Sequence, residues 1–133
     1  MTIASSAESN KALVLEAMTG VFIRRDPSVV ERHFAPDYTQ HNPSIPNGPE
    51  AIPGLIAALG KDFRYEPGMI VSEGDLVMIH GRYTGWAPIP MVAVDIFRIA
   101  NGKLAEHWDV MQEEVPASQT KSGNAMFTNA RRK

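Results

Sequence analysis

The sequence predicts one α+β domain, with helices in its first half and antiparallel strands in its second. Two observations carry this reading. Up to about residue 61 apolar residues recur at helical spacing, and from Phe63 to about residue 113 the period changes to that of strands. Turn signals, Glu73-Gly74-Asp75 and Asn101-Gly102, then separate successive apolar stretches as they do between hairpin strands. A chain of 133 residues suits a single domain over its whole length, 1–133, with one core.

The elements follow in order. Ser5 and Glu8 have capping-box spacing. Val14, Met18, Val21 and Phe22 mark one face of a helix over about 7–24. Asp26 before Pro27 reads as an N-cap and a first helical residue, opening a short helix over 27–34 that ends before Pro36. Two prolines and two asparagines make 38–48 a loop. Pro49 opens a third helix carrying Ile52, Leu55, Ile56 and Leu59. Pro53 complicates it, and either a tight turn precedes that residue or the regular helix begins there. Strands are expected around 64–72, 76–86, 92–99 and 104–112. The tail over 116–133 is polar, with Met126 and Phe127 able to pin it and residues 131–133 expected to fray.

Composition excludes several classes. A net charge of -2 gives no basic footprint, so nucleic-acid binding through phosphates is not expected. The chain has no cysteine, which removes disulfides, thiolate nucleophiles and thiolate metal sites. Its first ten residues lack the basic-then-apolar pattern of a secretory signal, and no apolar run is long enough to span a bilayer. The default expectation is a cytoplasmic protein that engages no membrane.

Polar residues in apolar strands require an explanation, because burying them is costly unless they are paired. Tyr38-Thr39-Gln40-His41-Asn42-Pro43 is one such place, His80 in Val77-Met78-Ile79-His80 a second, and Asp95 with His107-Trp108-Asp109 a third. Strand alternation puts His107 and Asp109 on one face. Whether Asp95 joins them depends on hairpin register. A two-residue Asn101-Gly102 turn pairs Asp95 with Trp108, whereas a three-residue loop with a bulge pairs it with Asp109. Two carboxylates facing each other in an apolar pocket do not both ionise easily, and the one with the raised pKa suits general acid–base work. Plainer roles stand beside these: His80 as a satisfied core residue, His41 as an organiser of its own loop, Asp95 paired with Arg98 or Arg82, and Trp86 and Trp108 as packing.

Several blocks together resemble a known family. They are Tyr38-Thr39-Gln40-His41-Asn42-Pro43, Asn47-Gly48-Pro49-Glu50, Gly74-Asp75-Leu76-Val77, Asp95-Ile96-Phe97-Arg98 and Gly102-Lys103-Leu104-Ala105-Glu106-His107-Trp108-Asp109. In this order, over residues 12–115, they resemble the SnoaL-like branch of the nuclear transport factor 2-like superfamily, of cystatin-like shape. Residues 123–127 resemble a tail seen in such proteins. The resemblance implies a cone-shaped, curved antiparallel sheet wrapped around a long N-terminal helix, with a pocket at the open end. It implies a homodimer through the outer sheet face, and polyketide-cyclase chemistry without metal or organic cofactor. Asp109 matches the acid–base residue of that chemistry, and Asp95 falls at a second pocket position. The short link Ala87-Pro88-Ile89-Pro90 departs from the longer hairpin of many members and should alter the pocket mouth.

Three function classes remain open. The first is an acid–base enzyme of aldol cyclase or isomerase type acting on a small apolar carbonyl compound. Asp109 would transfer the proton, His107 and Asp95 would tune it, and Tyr38, His41, His80, Trp86 and Trp108 would bind the substrate. The second is a binding module that holds a ligand without turnover. The third is a metal-dependent enzyme using His41, His80 and His107, although no short ligand spacing supports it.

Overall fold

The computed structural model describes residues 6–129. Ser5 and residues 131–133 lie outside them. Helix α1, Ala7–Phe22, is capped one residue later than the sequence suggested. The Ser6 hydroxyl accepts the Ser9 N–H at 3.0 Å and the Ser9 hydroxyl accepts the Ser6 N–H at 2.9 Å. The helix stops before Arg24 because Arg25 takes a left-handed φ of 55°. Its inner stripe of Val14, Ala17, Met18, Val21 and Phe22 is buried against the sheet. Val14 has no exposed surface, so its burial contributes about 1.5–3 kcal/mol.

Helix α2 is confined to Val29–His33, and Asp26 supports the turn before it by accepting the Ser28 N–H at 2.9 Å. Phe34 does not end this helix but starts strand β1, Phe34–Gln40, inside what reads by sequence as a helix end and a loop. Pro36 is tolerated because β1 is an edge strand and its ladder is irregular between Phe34 and Thr39. Helix α3 spans Ala51–Ala58. Pro53 is its third residue, where the missing N–H would have had no partner within the helix.

The remaining strands are β2 Arg64–Glu73, β3 Leu76–Thr84, β4 Met91–Ala100 and β5 Lys103–Glu113. Strand β3 ends before Trp86, which lies in the link to β4. The sheet order is β1-β5-β4-β3-β2. Pairing is antiparallel throughout except β1 on β5, which is parallel, so the sheet is mixed at one edge. Bulges in β2, between Pro67 and Ile70, and in β5 near Ala105 add the bend that closes the sheet into a cone around α1. The polar tail returns across the outer face. Phe127 packs on the His80 ring at 5.5 Å and covers Gly68, where a Cβ would meet its ring. Met126 Sδ accepts the Val115 N–H at 3.1 Å.

No helix of the described residues is long and apolar enough to cross a membrane.

Candidate active site

The register of the last hairpin combines both sequence alternatives. The turn is two residues long, Asn101-Gly102, with φ of 53° and 73°, and Ala100 pairs with Lys103. One extra residue, Ala105, is then inserted into β5, so Arg98 faces Glu106 and Asp95 faces Asp109. The bulge lets Leu104, His107, Asp109 and Met111 all turn toward the concave side.

On that side the polar groups form a connected cluster. Asp95 is 3% exposed and His107 5%, so any charge there must be paired. Tyr83 donates its hydroxyl hydrogen to Asp95 Oδ2 at 2.6 Å, and Asp95 Oδ1 lies 2.8 Å from His107 Nε2. His107 Nδ1 lies 2.6 Å from Gln40 Oε1. Asn42 Nδ2 donates to Asp109 Oδ2 at 2.6 Å, and that oxygen is 3.8 Å from His107 Nε2. Gln40 Nε2 donates a long hydrogen bond, 3.4 Å, to the Tyr38 hydroxyl.

The two carboxylates are therefore unequal. Asp95 has both oxygens engaged, whereas Asp109 Oδ1 has no hydrogen bond among the described residues. Burial holds the Asp109 carboxyl above the usual carboxylate range; the Asn42 hydrogen bond and His107 oppose this, and the charge of Asp95 adds to it. Burial, with the charge of Asp95 second, also pushes the Tyr38 and Tyr83 hydroxyls up, so both stay protonated as donors.

This cluster forms one end of a cavity whose other walls are apolar, among them Met18, Phe22, Ile45, Ile52, Leu55 and Trp86. The cavity volume is about 40 Å³, against roughly 10–15 Å³ for one water. No lysine or arginine lines it among the described residues.

Tyr38, Trp86, Asp95, His107 and Asp109 are thus brought to one cavity, and His41, His80 and Trp108 are not. His41 and Trp108 stack on the outer face with ring centroids 5.0 Å apart, and His41 Nε2 meets Glu106 at 2.7 Å. His80 points outward beneath Phe127. Alternation is the physical reason: Ile79, Gly81 and Tyr83 are buried inward, so His80 faces out, and Tyr38 and Gln40 face in, so His41 faces out. This separation also takes apart the three-histidine metal site. Asp95, His107 and Asp109 do bring ligand atoms within 4.8 Å of one another. Yet Asp95 Oδ1 and His107 Nε2 are only 2.8 Å apart, shorter than the roughly 3.4 Å between neighbouring ligands of a tetrahedral ion on bonds of about 2.1 Å. The trio fits a hydrogen-bonded proton unit better than a coordination sphere.

Sequence reasoning missed Gln40, Asn42 and Tyr83. The signal was present as the same two-residue period through Tyr38, Gln40 and Asn42, and through Ile79, Gly81 and Tyr83.

A cone of mixed sheet around one helix, closed over an apolar cavity with acid–base groups at one end, defines a class of pocket proteins. The SnoaL-like domain model matches residues 14–107, and the chain belongs to that family. Among curated proteins there is no significant match. Solved structures support the nuclear transport factor 2-like fold. A candidate ketosteroid isomerase from Kribbella flavida is 14% identical, with a TM-score of 0.72 over 84% of each chain. A candidate polyketide cyclase from Acidithiobacillus ferrooxidans is 21% identical, with a TM-score of 0.66 over 84% of this chain and 92% of its own. An epoxide hydrolase of M. tuberculosis described as LEH-like is 15% identical, with a TM-score of 0.62 over 80% of this chain and 84% of its own. At these identities the likeness is one of fold.

Proposed function

We propose that this protein is a cofactor-independent acid–base enzyme acting on a small, neutral, mostly apolar carbonyl compound, by aldol closure or isomerisation. Asp109 takes the proton next to the carbonyl through Oδ1. The Tyr38 hydroxyl donates to the oxygen that gains charge, and the His107–Asp95 pair tunes the field around both. One observation carries this reading: a carboxylate whose side chain is only 8% exposed, with one oxygen unengaged among the described residues, lines an otherwise mostly apolar cavity. The absence of cationic lining among the described residues favours neutral ligands over carboxylates. Two of the chemistries named for the structural neighbours, ketosteroid isomerisation and polyketide cyclisation, are of this kind, and epoxide hydrolysis is not.

Asp109→Asn keeps the shape and removes the base. Turnover of a responsive carbonyl substrate should fall roughly 10²–10⁴-fold with ligand binding retained. The wild-type rate should decline as pH falls through the raised Asp109 pKa, because only the ionised form accepts a proton. Full activity in Asp109→Asn would sink the assignment. Ligand binding without turnover by the wild type, across cyclisable and isomerisable carbonyl compounds, would favour the binding-module alternative.

Assembly as a homodimer through the outer sheet face belongs to the same reading. Val71, Met78, Ile96 and Trp108 occupy one cross-strand row over β2 to β5. Val71 is 60% exposed and neighbouring Val110 70%, and a contiguous apolar surface of this kind marks an interface.

A further inference from the structure

Two amide side chains at the end of β1 have orientations set by backbone donors. Gln40 Oε1 accepts the Asn42 N–H at 2.9 Å, and Asn42 Oδ1 accepts the Ser44 N–H at 2.8 Å. An amide nitrogen cannot accept in either place, so the oxygens are fixed. The same Gln40 oxygen lies 2.6 Å from His107 Nδ1. Facing an acceptor, Nδ1 has one role, donor, and therefore carries a hydrogen. On the other side of the ring, Nε2 lies 2.8 Å from Asp95 Oδ1. A bare nitrogen lone pair against an ionised carboxylate at that distance would be two acceptors with nothing between them. A second proton is required there, on the nitrogen or on the oxygen. Tyr83 does not supply it, because its hydroxyl hydrogen is directed to Oδ2.

We propose that Gln40 is a positioning residue that keeps this shared proton in the site. With Gln40 in place, His107 and Asp95 together carry no net charge, and the negative charge of the cluster resides on Asp109. Without an acceptor at position 40, His107 is free to adopt the other neutral tautomer, with Nε2–H toward Asp95 and Nδ1 bare. The pair then carries the charge of Asp95, directly across the ladder from Asp109. The titratable groups around His107 are Asp95 on β4, Asp109 on β5, Tyr83 on β3 and Tyr38 on β1. From α1, the apolar Met18, Val21 and Phe22 line the same cavity, and no titratable group of that helix does so among the described residues. Asn42 couples the two halves, since its N–H orients Gln40 and its amide hydrogen binds Asp109.

The proton count is a property of the resting protein; only the kinetic arm of the test rests on the proposed function. The test is imidazole ¹⁵N NMR of the full chain at neutral pH, with His33→Gln, His41→Gln and His80→Gln variants assigning the His107 signals. In the wild type, Nδ1 should show the shift of a protonated nitrogen. Gln40→Leu should move it to that of a bare nitrogen, and Gln40→Glu, which keeps an acceptor, should restore the wild-type pattern. A bare Nδ1 in the wild type, or identical spectra for wild type and Gln40→Leu, would overturn the proposal. If Gln40→Leu does not fold, Gln40→Met, which also removes the acceptor and keeps a similar length, takes its place. In the kinetic arm, Gln40→Leu should move the acid limb of the pH–rate profile upward by about one unit, because Asp109 now ionises opposite a like charge. A merely structural role would lower the rate and leave the limb in place. A changed tautomer with an unmoved limb would support the role of Gln40 and count against Asp109 as the base.

Discussion

The two faces of this sheet carry the same kinds of residue in opposite physical states. On the concave face, Tyr83, Asp95, His107 and Gln40 form one continuous chain of hydrogen bonds of 2.6–2.8 Å, nearly sealed from water. On the outer face, His41, Glu106 and Arg98 make a cluster of similar length that solvent reaches, with side chains 42%, 21% and 37% exposed. Distance alone does not separate the two groups. Burial does, because in a low-dielectric surrounding an unpaired partner has no water to turn to. A sequence holding four histidines thus presents one, His107, whose ring is held between buried polar partners, while His41 and His80 serve a surface.

The strongest way to break this contrast is to remove one member of the concave chain. Asp95→Leu leaves the Tyr83 hydroxyl and His107 Nε2 without partners, and should cost about 3–5 kcal/mol. Urea unfolding with an unchanged m-value reads this directly. Adding His107→Leu should recover part of the loss, because both halves of the buried pair are then gone. A loss of only a few tenths would mean that the concave cluster is no more demanding than a surface one.

The outer face differs in a second way: its apolar row is open to solvent in the single chain. Val110→Lys tests this difference by placing a charge beside that row. It should weaken a homodimer tenfold or more, on the order of 1.4 kcal/mol, while monomer stability stays within about 0.5 kcal/mol. Sedimentation at micromolar concentration checks both states. A wild-type protein that is already a monomer there would remove the assembly proposal.

How far the sequence exposes these faces depends on period. Strands β2 to β5 were legible because their apolar residues alternate, and α1 because Val14, Met18, Val21 and Phe22 keep helical spacing. Strand β1 was not, since Pro36 interrupts it and its residues 38–40 run into an Asn- and Pro-rich loop. Its pairing with β5 is parallel and irregular, which no local pattern encodes. That one omission hid Gln40 and Asn42 and made His41 look like a pocket residue. The apposition of Asp95 and Asp109 was an open alternative, because a bulge at Ala105 leaves no mark that distinguishes it from a longer turn.

The smallest expected effect comes from Glu106→Gln on the outer face, and its value lies in how it responds to solution conditions. Hydrogen bonds from His41 and then Arg98 hold the Glu106 carboxyl below the usual carboxylate range; burial opposes them, and the charges of Arg98 and His41 add to the lowering. A carboxylate whose folded pKa lies below its unfolded one stabilises the fold above the unfolded value. That contribution is lost as pH falls through the folded value. The wild type should therefore be slightly more stable than Glu106→Gln at neutral pH, and the margin should vanish in acid. High salt should shrink it too, because exposed charges are screened and exposed pairs contribute little. The penalty of Asp95→Leu should not respond to salt in this way, since no ions enter the concave cluster. Paired urea titrations of both variants at low and high salt test the difference in one experiment. If the Glu106→Gln penalty proves comparable to that of Asp95→Leu and equally indifferent to salt, burial is not what distinguishes the two faces.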